Sequence, residues 1–449
     1  MLSNAVRWIC GLSLALAAAS AQALLPIQQW QTANGARVYF VENHDLPMLD
    51  LSVDFRAGAA FDRREKSGAA SMTNQLLRLG AEGMDEDEIA RKLADVGADM
   101  SGRFDADRAG LSLRTLVSRQ ERDQALAIFA RVLQHPSFSQ SVLDREKVNR
   151  IAALKEADTK PETIVGRTVA RLVYGDHPYG LRASGEVDTV AGIARDDLVS
   201  FYRGHYNARN AVVAIMGDVT REEAAAVAER VTAELPPATG PEPQLPPVPE
   251  LKAGTVRWIA HPATQSHILI AAPGIRRTDP DYFPALVANH VLGGGGFTSR
   301  ITDEVRQKRG LAYSAYSYFS PQLEAGLFAI GMQTRRDQAD EALAVVNKTL
   351  TDFVANGPTE KELRAAKQNI IGGFPLRLDS NRKIVEYLSL IGFYRLPLTY
   401  LDDFVKNVER VTVAEAKQVF ARRVDPQRLV TAVVGATAER AAAGAGAAK

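Results

Sequence analysis

The chemistry this chain could do rests on few residues: seven histidines, a run of four glycines, an arginine and a tyrosine flanking a turn, and one cysteine. A metal site built on a helix needs two imidazoles one turn apart. His44, His135, His177, His205, His261, His267 and His290 never stand at i, i+4, and no H-x-x-E-H occurs. His261 and His267 would share one face of a straight strand, yet at ~3.3 Å per residue they lie about 20 Å apart, too far to share an ion. Gly293, Gly294, Gly295 and Gly296 leave the main chain uncovered, so an extended chain could approach closely. The run lacks the Lys-Ser/Thr ending of a phosphate loop, and the plainer reading is a flexible connection between helices. Arg309, with Arg306 and Lys308, falls at the end of a helical stretch, where positive charge meets the helix dipole. Gly310 would end that helix, and Tyr313 would be a strand residue among Tyr316 and Tyr318.

The elements that must position these residues belong to an ordinary folded chain. Of 449 residues, 46% are hydrophobic and 24% charged, and the length suits two to four domains. A net charge of +1 gives no bulk attraction to nucleic acid or anionic lipid. Arg7, the apolar run Trp8–Ala19 and the A-x-A site at Ala21-Gln22-Ala23 read as a cleaved secretory signal over 1–23, hence a periplasmic protein; a membrane-anchoring helix is the alternative. Cleavage removes Cys10, the only thiol, so the mature chain has no disulfide and no Cys ligand or nucleophile. No later stretch is apolar enough to span a bilayer.

The Pro-rich segment 236–254 reads as an extended linker between two similar parts, 24–235 and 255–437, followed by an Ala/Gly-rich tail, 438–449, expected as a frayed helix end or disordered. QALAIF from Gln124 pairs with EALAVV from Glu341. A helical stretch from Asp197 followed by the apolar run Asn210–Gly217 pairs with one from Ala416 followed by Arg428–Gly435. Strands are expected at 37–42, 49–55 and 109–116, and again at 255–260, 267–272 and 326–332. Strands in pairs with helices between them predict α+β domains with mostly antiparallel sheets packed by helices. Chance likeness between amphipathic helices is the competing account of the repeat.

Several segments together identify a family. Asn34–Val38 through Arg56-Ala57-Gly58, Tyr174–Gly180, Phe201–Tyr206 with Asn210 and Gly217-Asp218-Val219, and Arg309–Ser314 occur in an order that resembles the pitrilysin (insulinase) family of zinc peptidases, in the half-length form of the mitochondrial processing peptidase subunits. The resemblance implies two similar domains forming a clam-like half-shell. It also implies a zinc helix after Gly68 carrying H-x-x-E-H, whose glutamate serves as general base. Ser71 and Gln75 stand in the histidine positions, Asn74 in the base position, and Ala152 or Ala153 where a third, glutamate ligand belongs. None of these binds zinc usefully or takes a proton, so no zinc is expected in this chain.

Arg309 and Tyr313 match the family's arginine–tyrosine pair, which in relatives faces the zinc and donates to a peptide carbonyl and to the oxyanion of the tetrahedral intermediate. The four glycines are similar, more loosely, to the substrate-handling loop of non-catalytic processing-peptidase subunits. The resemblance thus implies a non-catalytic subunit, not an enzyme by itself, that pairs as a heterodimer with a zinc-bearing paralogue and contributes to hydrolysis of peptide substrates. The alternative is a catalytically silent peptide-binding or scaffold protein of the same fold.

Overall fold

Alternating and β-branched runs become strands where the sequence places them, and the two parts build sheets of one plan. The computed structural model describes residues 25–446; the signal reading and Cys10 lie outside the described residues. The first sheet contains β1 (Gln28–Gln31), β2 (Arg37–Glu42), β3 (Met48–Phe55), β4 (Asp99–Phe104), β5 (Ala109–Leu116) and β6 (Ala211–Gly217), in the order β1-β2-β6-β3-β5-β4. The second contains β7 (Thr255–Ala260), β8 (Gln265–Pro273), β9 (Ala312–Phe319), β10 (Leu327–Arg335) and β11 (Val430–Ala436), in the order β7-β11-β8-β10-β9. Without β1 the two orders coincide. Each sheet has one parallel pair, β2 with β6 and β7 with β11, and is otherwise antiparallel. Strands β6 and β11 are buried at every residue, as their unbroken apolar runs require.

One face of each sheet is covered by helices of its own part, among them α1 (Ala69–Leu77), α2 (Arg119–Gln134) and α3 (Gln140–Ala157) in the first. The other face is covered from across the molecule. Helix α4 (Pro161–Tyr174) sets Val165, Val169 and Val173, one turn apart, against Ala271, Ala329, Val430 and Ala432 of the second sheet. After α5 (Tyr282–Asn289), the reciprocal helix α6 (Asn381–Tyr394) sets Val385, Leu388 and Ile391 against Val212, Ala214 and Met216 of the first. Burying each such side chain contributes ~1.5–3 kcal/mol. The sheets keep within 24–235 and 255–437, but this exchange of helices makes those ranges sequence repeats rather than separately packed bodies.

Polar groups close the same junction. Asp107 accepts from Tyr179 (2.6 Å), from the Leu323 N–H (2.8 Å) and from Tyr394 (2.9 Å), so one carboxylate joins both parts. The Pro-rich segment 236–254 has no regular secondary structure and is strapped to the rest of the chain. Glu242 pairs with Arg56 (3.0 Å) and Arg395 (2.5 Å), and His177 meets the Pro246 carbonyl (2.8 Å). Over its described part the tail is helical. Ala438–Gly446 is a helix against β7, and Arg440 lies 4.1 Å from the Trp258 ring. Among the described residues no helix is long and apolar enough to cross a membrane.

Candidate functional site

Helix α1 carries the three positions that family resemblance assigns to metal and base. Its start is held by Asp62, whose carboxyl accepts the N–H groups of Gly68 (2.8 Å) and Ala70 (2.7 Å). Burial pushes that carboxyl up to about 7 against the pull of the two N–H donors. Ser71 and Gln75, one turn apart, face α3, where Glu146 and Arg150 are also one turn apart. The Arg150 guanidinium donates to Ser71 Oγ (3.1 Å) and to Gln75 Oε1 (2.5 Å). The Gln75 amide donates in turn to Glu146 (2.7 Å). Asn74 turns to the sheet and donates to the Gly110 carbonyl (3.0 Å). Ala153, seven residues from Glu146 and three from Arg150, shares their face of the helix; Ala152 does not.

The two side chains in the histidine positions therefore hold a fixed cation of the protein's own. A hydroxyl, an amide and a guanidinium do not fit a zinc ion, which takes imidazole, carboxylate or thiolate donors. Burial lowers the Arg150 pKa and Glu146 opposes that shift; the ordinary arginine value is so high that the charge remains. Among the described residues no cluster of three His, Cys, Asp or Glu could hold a metal elsewhere. His177, His205 and His261 meet the carbonyls of Pro246, Arg56 and Thr159. Arg150 was not among the sequence candidates. Its signal was available: Glu146 and Arg150 repeat the i, i+4 spacing of Ser71 and Gln75, one turn before the third-ligand position.

Arg309 and Tyr313 lie at the edge of the second sheet. A short helix and a π-helical turn over 300–307 end at Gly310, whose φ of +64° is the left-handed conformation a helix-terminating glycine takes. Arg309 Nη1 pairs with Glu304 (2.6 Å) and also donates to its carbonyl. Strand β9 is an edge strand, and its register slips by one residue between Ala312 and Ala315. That bulge turns Tyr313 and Ser314 both outward, and the Tyr313 residue is 82% exposed. Its ring packs on Arg306, 4.6 Å away, which also covers Phe297 at the same distance.

The glycine run is not an open loop. His290–Gly294 continue α5 as a π-helical turn, and Gly296–Thr298 form a 3-10 turn. A Cβ on Gly293 would stand 2.5 Å from the Ser317 backbone nitrogen, so glycine there permits close packing on β9. Asn289 locks that contact, donating to the Ser317 carbonyl (3.0 Å) and accepting from its hydroxyl (2.7 Å). Only Gly296, at φ +58°, faces open space.

Comparison with known proteins agrees with this plan. Residues 37–185 match the family described as insulinase (peptidase family M16), and residues 192–370 match the peptidase M16 inactive domain. A non-peptidase homologue, YmxG of Helicobacter pylori, is 24% identical over 410 residues, covering 90% of this chain and 93% of that protein. An uncharacterized zinc protease of Streptomyces coelicolor is 27% identical, covering 82% and 81%. The crystal structure of a peptidase M16 inactive domain from Pseudomonas fluorescens superposes with a TM-score of 0.88 at 36% identity, over 92% of this chain and 98% of that one. A Helicobacter pylori protease has the same fold, with a TM-score of 0.83 at 17% identity. With its duplicated sheets intact and an arginine held between the two histidine positions, this chain belongs to the M16 (insulinase) family.

Proposed function

We propose that this chain is the zinc-free subunit of a two-chain peptidase, exported to the periplasm, whose zinc-bearing paralogue supplies metal and general base. The observation that carries this reading is the contrast within one chain. The metal positions are closed by Arg150, while Tyr313 projects into solvent from a bulged edge strand. In the closed pair the Tyr313 hydroxyl would donate to the oxyanion as it forms. Arg309, with Nη1 spent on Glu304, would donate from its remaining N–H groups to a peptide carbonyl.

One observation favours a second reading. Tyr313 stacks on Arg306 and Arg309 pairs with Glu304, so both have partners within this chain, as in a silent scaffold. Steady-state kinetics of the reconstituted pair separates the two. Tyr313→Phe keeps the ring and its packing; under the subunit reading the pair assembles with unchanged affinity and loses roughly 10²–10³ in kcat. Near-normal turnover with unchanged unfolding curves would favour the scaffold. Purification from native periplasm should yield the paralogue and a mature N-terminus at Leu24.

A further inference from the structure

A cavity lies between the two parts, away from the degenerate metal positions and bordered on one side by Gly294 of the glycine run. It measures about 590 Å³, within the range of small-ligand sites. Four arginines line it, Arg103, Arg108, Arg277 and Arg377, against a single lining carboxylate, Glu386. Two of these cations are matched from behind: Arg108 by Asp105 at 3.0 Å and Arg103 by Asp54 at 3.6 Å. The other two are not. Arg277 is half-buried; among the described residues its one side-chain hydrogen bond runs from Nη1 to the Tyr282 hydroxyl (3.2 Å), its Nε has no partner, and the Tyr282 and Tyr394 rings beside it carry no charge to match it. Arg377 is exposed and has no side-chain ion pair or hydrogen bond among the described residues. A partly buried cation without a counter-charge is costly, and an entering anion removes that cost.

Apart from Asn289 and Ser317, which bond to each other, the rest of the lining is mostly apolar or aromatic, including Leu286, Leu390, Phe404 and Tyr387. The cavity also opens beside two strands with a free edge. Arg103 belongs to β4, the last strand of the first sheet, and Tyr318 to β9, the last of the second. A free edge offers unpaired main-chain N–H and C=O groups to an extended chain. We propose that this cavity takes the carboxylate end of a peptide, with Arg277 and Arg377 on the carboxylate and the aromatic and leucine wall on an apolar last side chain. The inference goes beyond the subunit reading. Every lining group belongs to this chain, so the site is measurable without a zinc-bearing partner and stands whether or not one exists.

The test is calorimetry on the purified chain with an eight-residue peptide ending in Phe, its C-terminally amidated twin, and inorganic phosphate. The acid should bind and the amide should bind about tenfold more weakly or worse. Arg277→Gln and Arg377→Gln should each abolish that discrimination. Arg377 is exposed, so its variant should melt like the parent, which excludes misfolding as the cause. Equal affinity for acid and amide, no binding of either, or displacement of the acid by phosphate at equal concentration overturns the proposal.

Discussion

An aspartate stands at the start of the helix after the hairpin in each part, Asp62 through its side chain and Asp281 as the residue before the helix, and the two have opposite surroundings. Asp62 opens α1 with no cation beside it, and burial raises its carboxyl. Asp281 opens α5. Burial raises it too, but Arg422 (2.6 Å) and Arg423 (2.9 Å) outweigh burial and hold it below the usual range. Farther along, the first part holds a cation, Arg150, inside its motif, while the second exposes donors at a sheet edge. Two copies of one plan have thus diverged in charge placement while their strand order stayed the same. Topology resists change because every strand is shared with a core; a charge moves with a single substitution.

The largest test of that contrast is to refit the first part for metal. Ser71→His, Asn74→Glu, Gln75→His and Ala153→Glu together restore the donors, but Arg150 still stands among them. At ~4 Å and an effective dielectric of ~20, a guanidinium beside a divalent ion costs roughly 8 kcal/mol. The fourfold variant should bind no stoichiometric zinc by metal analysis, and adding Arg150→Ala should bring one zinc per chain. Equal zinc in both would show that Arg150 is incidental.

The aspartates predict a smaller, opposite pair of pH effects. Asp62 titrates at about 7 when folded, against about 4 unfolded. Its contribution is therefore full below pH ~4 and is lost as pH rises through about 7, up to ~4 kcal/mol. Asp281 is depressed, so its contribution is present above pH ~4 and lost as pH falls through its folded value. In urea unfolding between pH 3 and 8, Asp62→Asn should gain on the parent as pH rises. Asp281→Asn should fall behind it. Parallel pH profiles for both variants would contradict the assignment.

The smallest test splits the glycine run. Gly293→Ala must force its Cβ into β9 and should cost ~1–3 kcal/mol. Gly296→Ala meets no atom and should cost only the left-handed conformation, ~1 kcal/mol. Equal melting temperatures would return the run to the status of a loop.

Pattern was enough to place strands such as Arg37–Glu42, a short unbroken apolar run buried on both faces, and Ala109–Leu116, whose second half alternates. It could not show which sheet a helix covers. Val165, Val169 and Val173 declare an apolar face on α4 and say nothing of its partner. The glycines misled for a related reason: a missing side chain looks the same whether it serves mobility or close packing. The outward turn of Tyr313 was legible in principle. Tyr316 and Tyr318 keep an even phase along β9 and Tyr313 breaks it, which is how a bulge appears in sequence. Arg150 was missed because the resemblance directs attention to the ligand positions, and the group that replaces a metal need not occupy one of them.

The exchanged helices also set a timetable. The first sheet has all its strands once Gly217 is made, but its outer cover, Asn381–Tyr394, comes roughly 160 residues later. At 5–20 residues per second that is about 8–30 s of synthesis. Throughout it, the nascent first half carries an uncovered apolar face and cannot lock shut. If the chain is exported, as proposed above, this delay would be an asset, because a polypeptide threaded through a secretion channel must still be open when it arrives.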